Sequence, residues 1–356
     1  MKRVLILANE DTHVLHFRSE LIVALVKNGN EVIVSIPKSN RKDEIIALGA
    51  KVVETNLSRH GKNPLKDLKL LKEYKLLIKE FKPNIVFSFT VKPNVYGGLA
   101  CRKLKVPFVA NITGLGVIGQ KGLLQKITLW LCKKGLKDAK CVFFQNESNK
   151  EFFESKKIVK DNAVLLPGSG VNLEKYYYSE YPSDNVSNLL FVGRIVKDKG
   201  AYELASTAKH FLGDNRVRFT ILGTCEYGFE NPFENLPNVE CKGYDKNVRA
   251  HVEDAHAIIL PSYHEGMANV LLEGAASGRP VLASNIPGCK ESFDEGVTGF
   301  GFNVKDAQDT IRAVEKFLSL SYEEKRQMGI LGRKKMENQF DRNIVIGKYL
   351  EKLGEV

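Results

Sequence analysis

The chain predicts an α/β protein of two Rossmann-like, doubly wound parallel-sheet domains facing one another across a cleft, on three observations. Strand and helix signals alternate in βαβα order along the 356 residues, which implies parallel sheets covered by helices on both faces. The alternation breaks once, at Asn172–Asn188, where Tyr176-Tyr177-Tyr178, Pro182, Ser183 and Asp184 read as a connection, and then resumes. The length is long for one hydrophobic core and comfortable for two.

The elements follow in order. Val4–Ala8 is a buried strand; its apolar run is too short for a signal peptide and meets Asn9-Glu10-Asp11 at once. His16–Asn28 carries Phe17, Leu21 and Leu25 at helical spacing and is closed by Gly29. Glu31–Ile36 is a strand, Asp43–Leu48 a helix stopped by Gly49, Val52–Glu54 a strand and Leu65–Phe81 a long helix. Strands Ile85–Phe89, Val106–Asn111 and Cys141–Gln145 complete the first domain, placed at 1–170. The second, 171–339, alternates strand Asn188–Val192, helix Gly200–Phe211, strands Arg218–Leu222, Val239–Lys242 and Ala257–Leu260, helix Val270–Ala276 and strand Val281–Ala283. A C-terminal helix over 340–356 is expected to pack back on the first domain. Ligands of such open sheets bind at the carboxyl ends of the strands.

With 43% hydrophobic and 27% charged residues the composition is that of a globular protein, and no run approaches the ~18 apolar residues of a membrane span. Six scattered cysteines without a C-x-x-C pair read as reduced structural thiols in a cytosolic protein and provide no zinc site. The net charge of +11 is segregated: residues 1–170 hold 30 Lys and Arg against 15 Asp and Glu, the remainder 23 against 27. A basic half joined to a mildly acidic one points the first half at an anionic partner. Nucleic acid is set aside, because neither aromatic–basic interleaving nor a recognition motif is present.

Two segments carry the chemistry. In Phe191-Val192-Gly193-Arg194-Ile195-Val196-Lys197-Asp198-Lys199-Gly200 a strand ends in glycine, and Arg194 and Lys199 flank the loop that opens a helix. A guanidinium fork and an ammonium beside free helix amides suit a diphosphate. In Leu260–Glu273 a strand passes through the Glu265-Gly266 turn and Met267-Ala268-Asn269-Val270 into a second helix. Gly266 permits close backbone approach. Glu273 lies about two turns into that helix, among Leu271, Leu272, Ala275 and Ala276, so its buried carboxylate requires a partner. A ribose diol would serve, each charge-assisted bond contributing ~1.5–3 kcal/mol.

The two segments resemble the retaining glycosyltransferases of family 4, which have the two-Rossmann GT-B fold and whose signature is a pair of glutamates separated by seven residues, here Glu265 and Glu273. The resemblance implies that Arg194 and Lys199 hold the donor diphosphate, Glu265 the transferred sugar and Glu273 the ribose. The amides around Met267–Val270 would meet phosphates and hexose hydroxyls, and Gly243-Tyr244 the nucleobase. Retention by front-side departure would leave Arg194 and Lys199 to neutralise the leaving diphosphate. No Asp-x-Asp motif stands out, and no essential metal or cofactor is expected.

His16-Phe17-Arg18, Thr113-Gly114-Leu115-Gly116, Gln145–Asn149 and Gly168–Asn172 are similar to the bacterial branch that adds a sugar, often N-acetylated, to undecaprenyl-diphosphate-linked saccharides. The implied partners are a UDP-sugar, a lipid-linked saccharide and an anionic membrane surface at the inner face of the cell membrane. The first βα loop reads Asn9-Glu10-Asp11-Thr12-His13 where many relatives have two glycines, so Thr12, His13 or His16 is expected to serve there, with Arg18, Lys92, Thr113 and Gly114 on the acceptor side. The same loop lacks the G-x-G-x-x-G of a nicotinamide dehydrogenase. In 117–140, Leu123, Leu124, Ile127, Trp130 and Leu131 form one helical stripe amid Lys121, Lys126, Lys133, Lys134, Lys137 and Lys140. That pattern suits either a core helix or an interfacial one with the sole tryptophan at the lipid boundary. A UDP-sugar 2-epimerase of the same fold and a catalytically silent nucleotide-sugar sensor are the competing readings.

Overall fold

The computed structural model describes residues 1–57, 63–115, 122–183 and 186–356. Two compact units divide them: unit 1 comprises Met1–Ser169 with Asn343–Val356, and unit 2 comprises Gly170–Arg342.

Unit 1 runs β1 (Arg3–Leu7), α1 (Asp11–Phe17), α2 (Ser19–Lys27), β2 (Glu31–Ile36), α3 (Lys42–Ile46), β3 (Lys51–Glu54), α4 (Pro64–Phe81), β4 (Ile85–Phe89), α5 (Gly98–Leu104), β5 (Phe108–Ile112), α6 (Leu123–Gly135), β6 (Cys141–Phe144), α7 (Glu147–Ser155) and β7 (Ala163–Leu165). Its strands form one parallel sheet in the order β3-β2-β1-β4-β5-β6-β7. The order reverses between β1 and β4, which opens a crevice at their carboxyl ends. The central strands β1, β4, β5 and β6 are buried almost throughout, because helices cover both faces. Leu70, Tyr74, Ala100, Cys132 and Phe153 of α4–α7 pack on one face. Val14, Leu21, Leu25 and Ile45 of α1–α3 pack on the other.

Unit 2 runs β8 (Ser187–Val192), α8 (Ala201–His210), β9 (Val217–Leu222), β10 (Val239–Gly243), α9 (Val248–Glu253), β11 (Ala257–Leu260), α10 (Asn269–Ala276), β12 (Val281–Ser284), β13 (Gly299–Phe302), α11 (Ala307–Ser319) and α12 (Tyr322–Lys335). Its parallel sheet has the order β10-β9-β8-β11-β12-β13, with the reversal between β8 and β11. The two segments expected to bind the donor occupy the carboxyl ends of those two strands. The chain then enters α13 (Arg342–Gly354), which belongs to unit 1 from Asn343 onward. Tyr349 of α13 sits among Phe87, Phe89 and Phe143, its ring centroid 5.0, 5.9 and 4.9 Å from theirs. Its hydroxyl accepts a hydrogen bond from the buried Asn111 amide at 2.7 Å.

Several expectations are corrected. The single helix over His16–Asn28 is two, because Arg18 adopts φ −132° between α1 and α2, and the expected first loop is largely helical from Asp11. The strand expected at Val106–Asn111 is shifted to Phe108–Ile112, since Val106-Pro107 follows a left-handed Lys105 that ends α5. The Asn172–Asn188 connection lies within unit 2, which begins at Gly170, and is anchored there at a few buried positions, Tyr176 and Tyr181 among them. Val171 and Tyr176 are buried in the unit 2 cluster. The fully buried Arg279 donates to the carbonyls of Ser179 and Glu180 in this segment at 3.0 Å each, and to those of Val252 and Glu253 at 3.0 and 2.9 Å. Gly116, Lys121, the 117–120 stretch and Asp184 lie outside the described residues. No described helix is long and apolar enough to cross a membrane.

Candidate functional site

The two segments expected to bind the donor are sewn together by their backbones. Tyr263 N–H donates to the Asp198 carbonyl at 2.9 Å, and its hydroxyl donates to Glu203 at 2.6 Å. Gly200, at φ +72°, lies so close to Pro261 that a Cβ would stand 2.1 Å from the Pro261 oxygen. Gly288, at φ +87°, supports the Glu265-Gly266 turn from below, where a Cβ would meet the Glu265 and Gly266 oxygens at 2.7 and 2.8 Å. Ala268 N–H completes that contact by donating to the Gly288 carbonyl at 2.7 Å. Each position therefore requires glycine, for left-handed backbone and for close approach together.

This framework brings Lys199 and Glu265 into contact, Nζ to Oε1 at 2.5 Å, both side chains mostly buried. The α10 amino terminus follows directly, and no side chain caps it at Ala268. Its first-turn N–H groups form an anion-receptive end. The Asn269 Oδ1 of its first residue and the Ser262 Oγ that follows β11 are buried without a hydrogen-bond partner among the described residues, polar atoms that a ligand could satisfy.

Glu273 finds a partner that the sequence reading did not anticipate. The Tyr176 hydroxyl donates to it, and Lys175 and Arg342 bear on it electrostatically. Burial pushes the Glu273 carboxyl up to about 7, against the pull of those three groups. Burial and the adjacent carboxylate keep the Tyr176 phenol protonated. The partners lie far from Glu273 in the chain and carry no motif of their own.

The remaining residues expected at the donor are placed less compactly. Gly193 directly follows β8, its N–H bonded to the Leu222 carbonyl at 3.0 Å. Arg194 is exposed, and its guanidinium holds Glu226 at 3.1 Å, a partner without a signal in the sequence. Gly243, at φ +68° with open space around its Cα, ends β10, and Tyr244 beside it is exposed. Met267 and Ala268 are buried, and Val270 packs against the unit 2 core.

In unit 1, Thr113 and Gly114 share a recess with Thr90, Val91, Asn94, Ile112 and Cys132 at the carboxyl ends of β4 and β5. Thr90 holds φ +71°, strained for a β-branched residue. Its Oγ1 and the Asn9 Oδ1 past the end of β1 are buried without a partner among the described residues. Thr90 has no signal in the sequence, and Asn9 enters the sequence reading only as part of the first loop, without a role of its own; an isolated Asn or Thr in a loop carries no pattern. Thr12, His13 and His16 lie on α1, with Thr12 Oγ1 donating to Asp11 at 3.1 Å and His13 Nε2 2.8 Å from Glu10. Arg18 is buried and spoken for structurally, its guanidinium 4.3 Å from the Phe89 ring centroid and donating to the Phe17 carbonyl at 2.9 Å. Lys92 is tied to Asp67 at 2.7 Å. In α6, Leu123, Ile127 and Trp130 are exposed, Leu124 is partly covered, and Leu131 packs on the core. Lys126, Lys133 and Lys134 are exposed, with Lys134 Nζ 5.7 Å from the Trp130 ring centroid. The expected single stripe is thus split, one edge inward and one outward. Among the described residues no cluster of three or more His, Cys, Asp or Glu is placed to hold a metal ion.

Two family models match the chain: Glycosyl transferase 4-like over residues 3–146, and Glycosyl transferases group 1 over 186–319. The chain is 26% identical to an N,N'-diacetylbacillosaminyl-diphospho-undecaprenol alpha-1,3-N-acetylgalactosaminyltransferase of Campylobacter jejuni, over 98% of this chain and 97% of that protein. It is also 26% identical to the capsular polysaccharide biosynthesis glycosyltransferase CapM of Staphylococcus aureus, over 78% of each. Among solved structures, Anabaena HepE in complex with UDP and glucose superposes with a TM-score of 0.83 at 15% identity, over the whole of both chains.

Proposed function

The chain is a glycosyltransferase of the GT-B fold, built from a glycosyl transferase 4-like domain and a group 1 domain, and from that premise we propose that it moves an N-acetylhexosamine from its UDP conjugate to an undecaprenyl-diphosphate-linked saccharide, with retention of anomeric configuration. The observation that carries this reading is the 2.5 Å Lys199–Glu265 pair beside the uncapped α10 amino terminus. An ammonium and a row of amides favour a diphosphate, while the carboxylate can accept sugar hydroxyls. The nature of the acceptor draws support from the Campylobacter jejuni relative.

In the proposed reaction Glu273 takes the ribose diol, Lys199 and the α10 amides take the diphosphate, and Arg194 turns from Glu226 to join them. Charge developing on the leaving diphosphate is met by those cations without a metal, and the departing phosphate oxygen removes the acceptor proton on the same face. The recess at Thr90, Asn94 and Thr113, with the unpartnered Asn9 Oδ1, would hold the acceptor's saccharide end. Labelled UDP-N-acetylhexosamine and a short-chain polyprenyl-diphosphate saccharide should give an α-configured product by NMR. Turnover should survive EDTA, and Lys199→Ala should lower kcat by about 10²–10³. An inverted product, or full activity of that variant, rejects the mechanism.

A lipid-borne acceptor requires the enzyme to work peripherally at the inner face of the cell membrane. The exposed Leu123, Ile127 and Trp130 of α6 support docking there, with Lys126, Lys133 and Lys134 each adding about 1 kcal/mol near an anionic surface. Replacing those three lysines by glutamine should abolish co-sedimentation with anionic liposomes; unchanged binding removes α6 from the reading.

A further inference from the structure

The surface of α4 repeats the composition of the α6 surface. Leu65, Leu68 and Leu76 are 76%, 61% and 55% exposed, although the helix has a complete apolar face of its own at Leu70, Tyr74, Leu77 and Ile78 packed on the sheet. Three residues of this kind on the outer face of a helix that needs none of them there form an apolar patch without a folding role. Lys66, Lys69, Lys72 and Lys79 are exposed around them and have no carboxylate partner among the described residues. Two of the helix's acids are drawn away from that face. Asp67 is held by Lys92 and the Tyr96 hydroxyl at 2.7 and 3.0 Å, and Glu73 accepts from the Asn56 backbone and side-chain amides at 2.9 and 2.7 Å. What remains outward is leucine set in lysine, with Glu80 the one exposed acid at the carboxyl end, an arrangement that buries apolar side chains at the acyl boundary while the cations meet anionic headgroups.

α4 and α6 belong to one layer. Both pack on the wide turn at Pro93–Gly97, and both contribute to the same core on one face of the unit 1 sheet, so their outer surfaces both look away from that sheet. We infer that α4 is a second membrane-docking element, which with α6 forms a two-helix platform for an anionic lipid surface. Two separated helices fix the angle at which unit 1 meets the membrane, where one would leave it free to roll about the helix axis. The inference rests on the membrane-borne acceptor reading, and each helix can be tested by itself.

Trp130 is the only tryptophan and reports α6 directly. Leu68→Trp in a Trp130→Phe background reports α4. Each protein is titrated with vesicles of phosphatidylglycerol and phosphatidylcholine, and with phosphatidylcholine alone. A blue shift of both probes, and quenching of both by brominated acyl chains, only with the anionic vesicles, is the expected result. A Trp130 shift with no Leu68→Trp shift overturns the platform and leaves α6 docking intact. No shift of either overturns both readings. A Leu68→Trp shift on raising protein concentration without vesicles means that a second copy covers α4, and overturns the inference. As an independent check, the triple change Leu65→Ser, Leu68→Ser, Leu76→Ser should weaken vesicle partitioning by at least about tenfold, while turnover of a water-soluble short-chain acceptor stays at the wild-type level. Unaltered partitioning would count against α4.

Discussion

At the scale of single residues the determinant group is Glu273. Its carboxyl is raised to about 7 by burial, so between its unfolded value of 4.5 and about 7 the folded protein binds the extra proton. Stability contributed by that proton is complete below pH 4.5 and is lost as pH rises through 7. Glu273→Gln should therefore be the less pH-sensitive protein, gaining on wild type by about 2–3 kcal/mol between pH 5 and pH 8 in paired denaturant titrations; parallel curves would refute the assignment. Binding of a diol favours the ionised carboxylate, so UDP affinity should rise with pH through 7 more steeply in wild type than in Glu273→Gln, a comparison that cancels the titration of UDP itself. The need for a partner at Glu273 was legible, because a glutamate among Leu271, Leu272, Ala275 and Ala276 cannot stay unsatisfied. Which partner was not, since Tyr176 reaches it only through the fold and its triple-tyrosine segment reads as a linker. Arg18 shows the opposite case, where a motif-like position turns out to be held by Phe89.

At the scale of elements, the proposed donor site depends on turns more than on helices. Gly288 touches no ligand in the proposed reaction, yet it sets the height of the Glu265-Gly266 turn. Gly288→Ala should raise KM for the donor by about tenfold or more and lower Tm, because both turn carbonyls must retreat from a Cβ in a left-handed backbone. A variant with normal donor kinetics would show that the turn adjusts freely. Strands were the most legible elements: Glu31–Ile36, Ile85–Phe89 and Ala257–Leu260 lie where their apolar runs stop and start. Helices in unit 1 were less so. The one helix expected over His16–Asn28 is two, the first starting back at Asp11, since the break is a backbone turn at Arg18 with no glycine or proline to announce it. The exposed leucines of α4 were passed over because Leu65–Phe81 satisfies a helical period with its inner face alone, and only solvent exposure separates surplus leucines from needed ones.

Across the whole molecule the proposed donor groups lie in unit 2 and the lysine-rich surfaces in unit 1, which is the charge segregation of the sequence translated into structure. UDP at 100 times its Kd should stabilise unit 2 by about 2.7 kcal/mol. That gain should appear in hydrogen exchange of β8 and β11, with β1 and β4 of unit 1 changed far less; uniform protection would place the nucleotide elsewhere. Unit 2 begins and ends at one spot: Val171 N–H donates to the Phe340 carbonyl at 2.8 Å, and Arg342 N–H to the Val171 carbonyl at 3.0 Å. It is thus an insertion between Ser169 and Asn343 of unit 1. During translation the ribosome must finish all of unit 2 before it delivers Tyr349. Until then the slot between Phe87, Phe89 and Phe143 stands open, and the buried Asn111 amide lacks its phenol. The half of the enzyme made first is therefore completed last, and a nascent chain stalled anywhere in between presents an unfinished hydrophobic seam to whatever chaperone attends the exit tunnel.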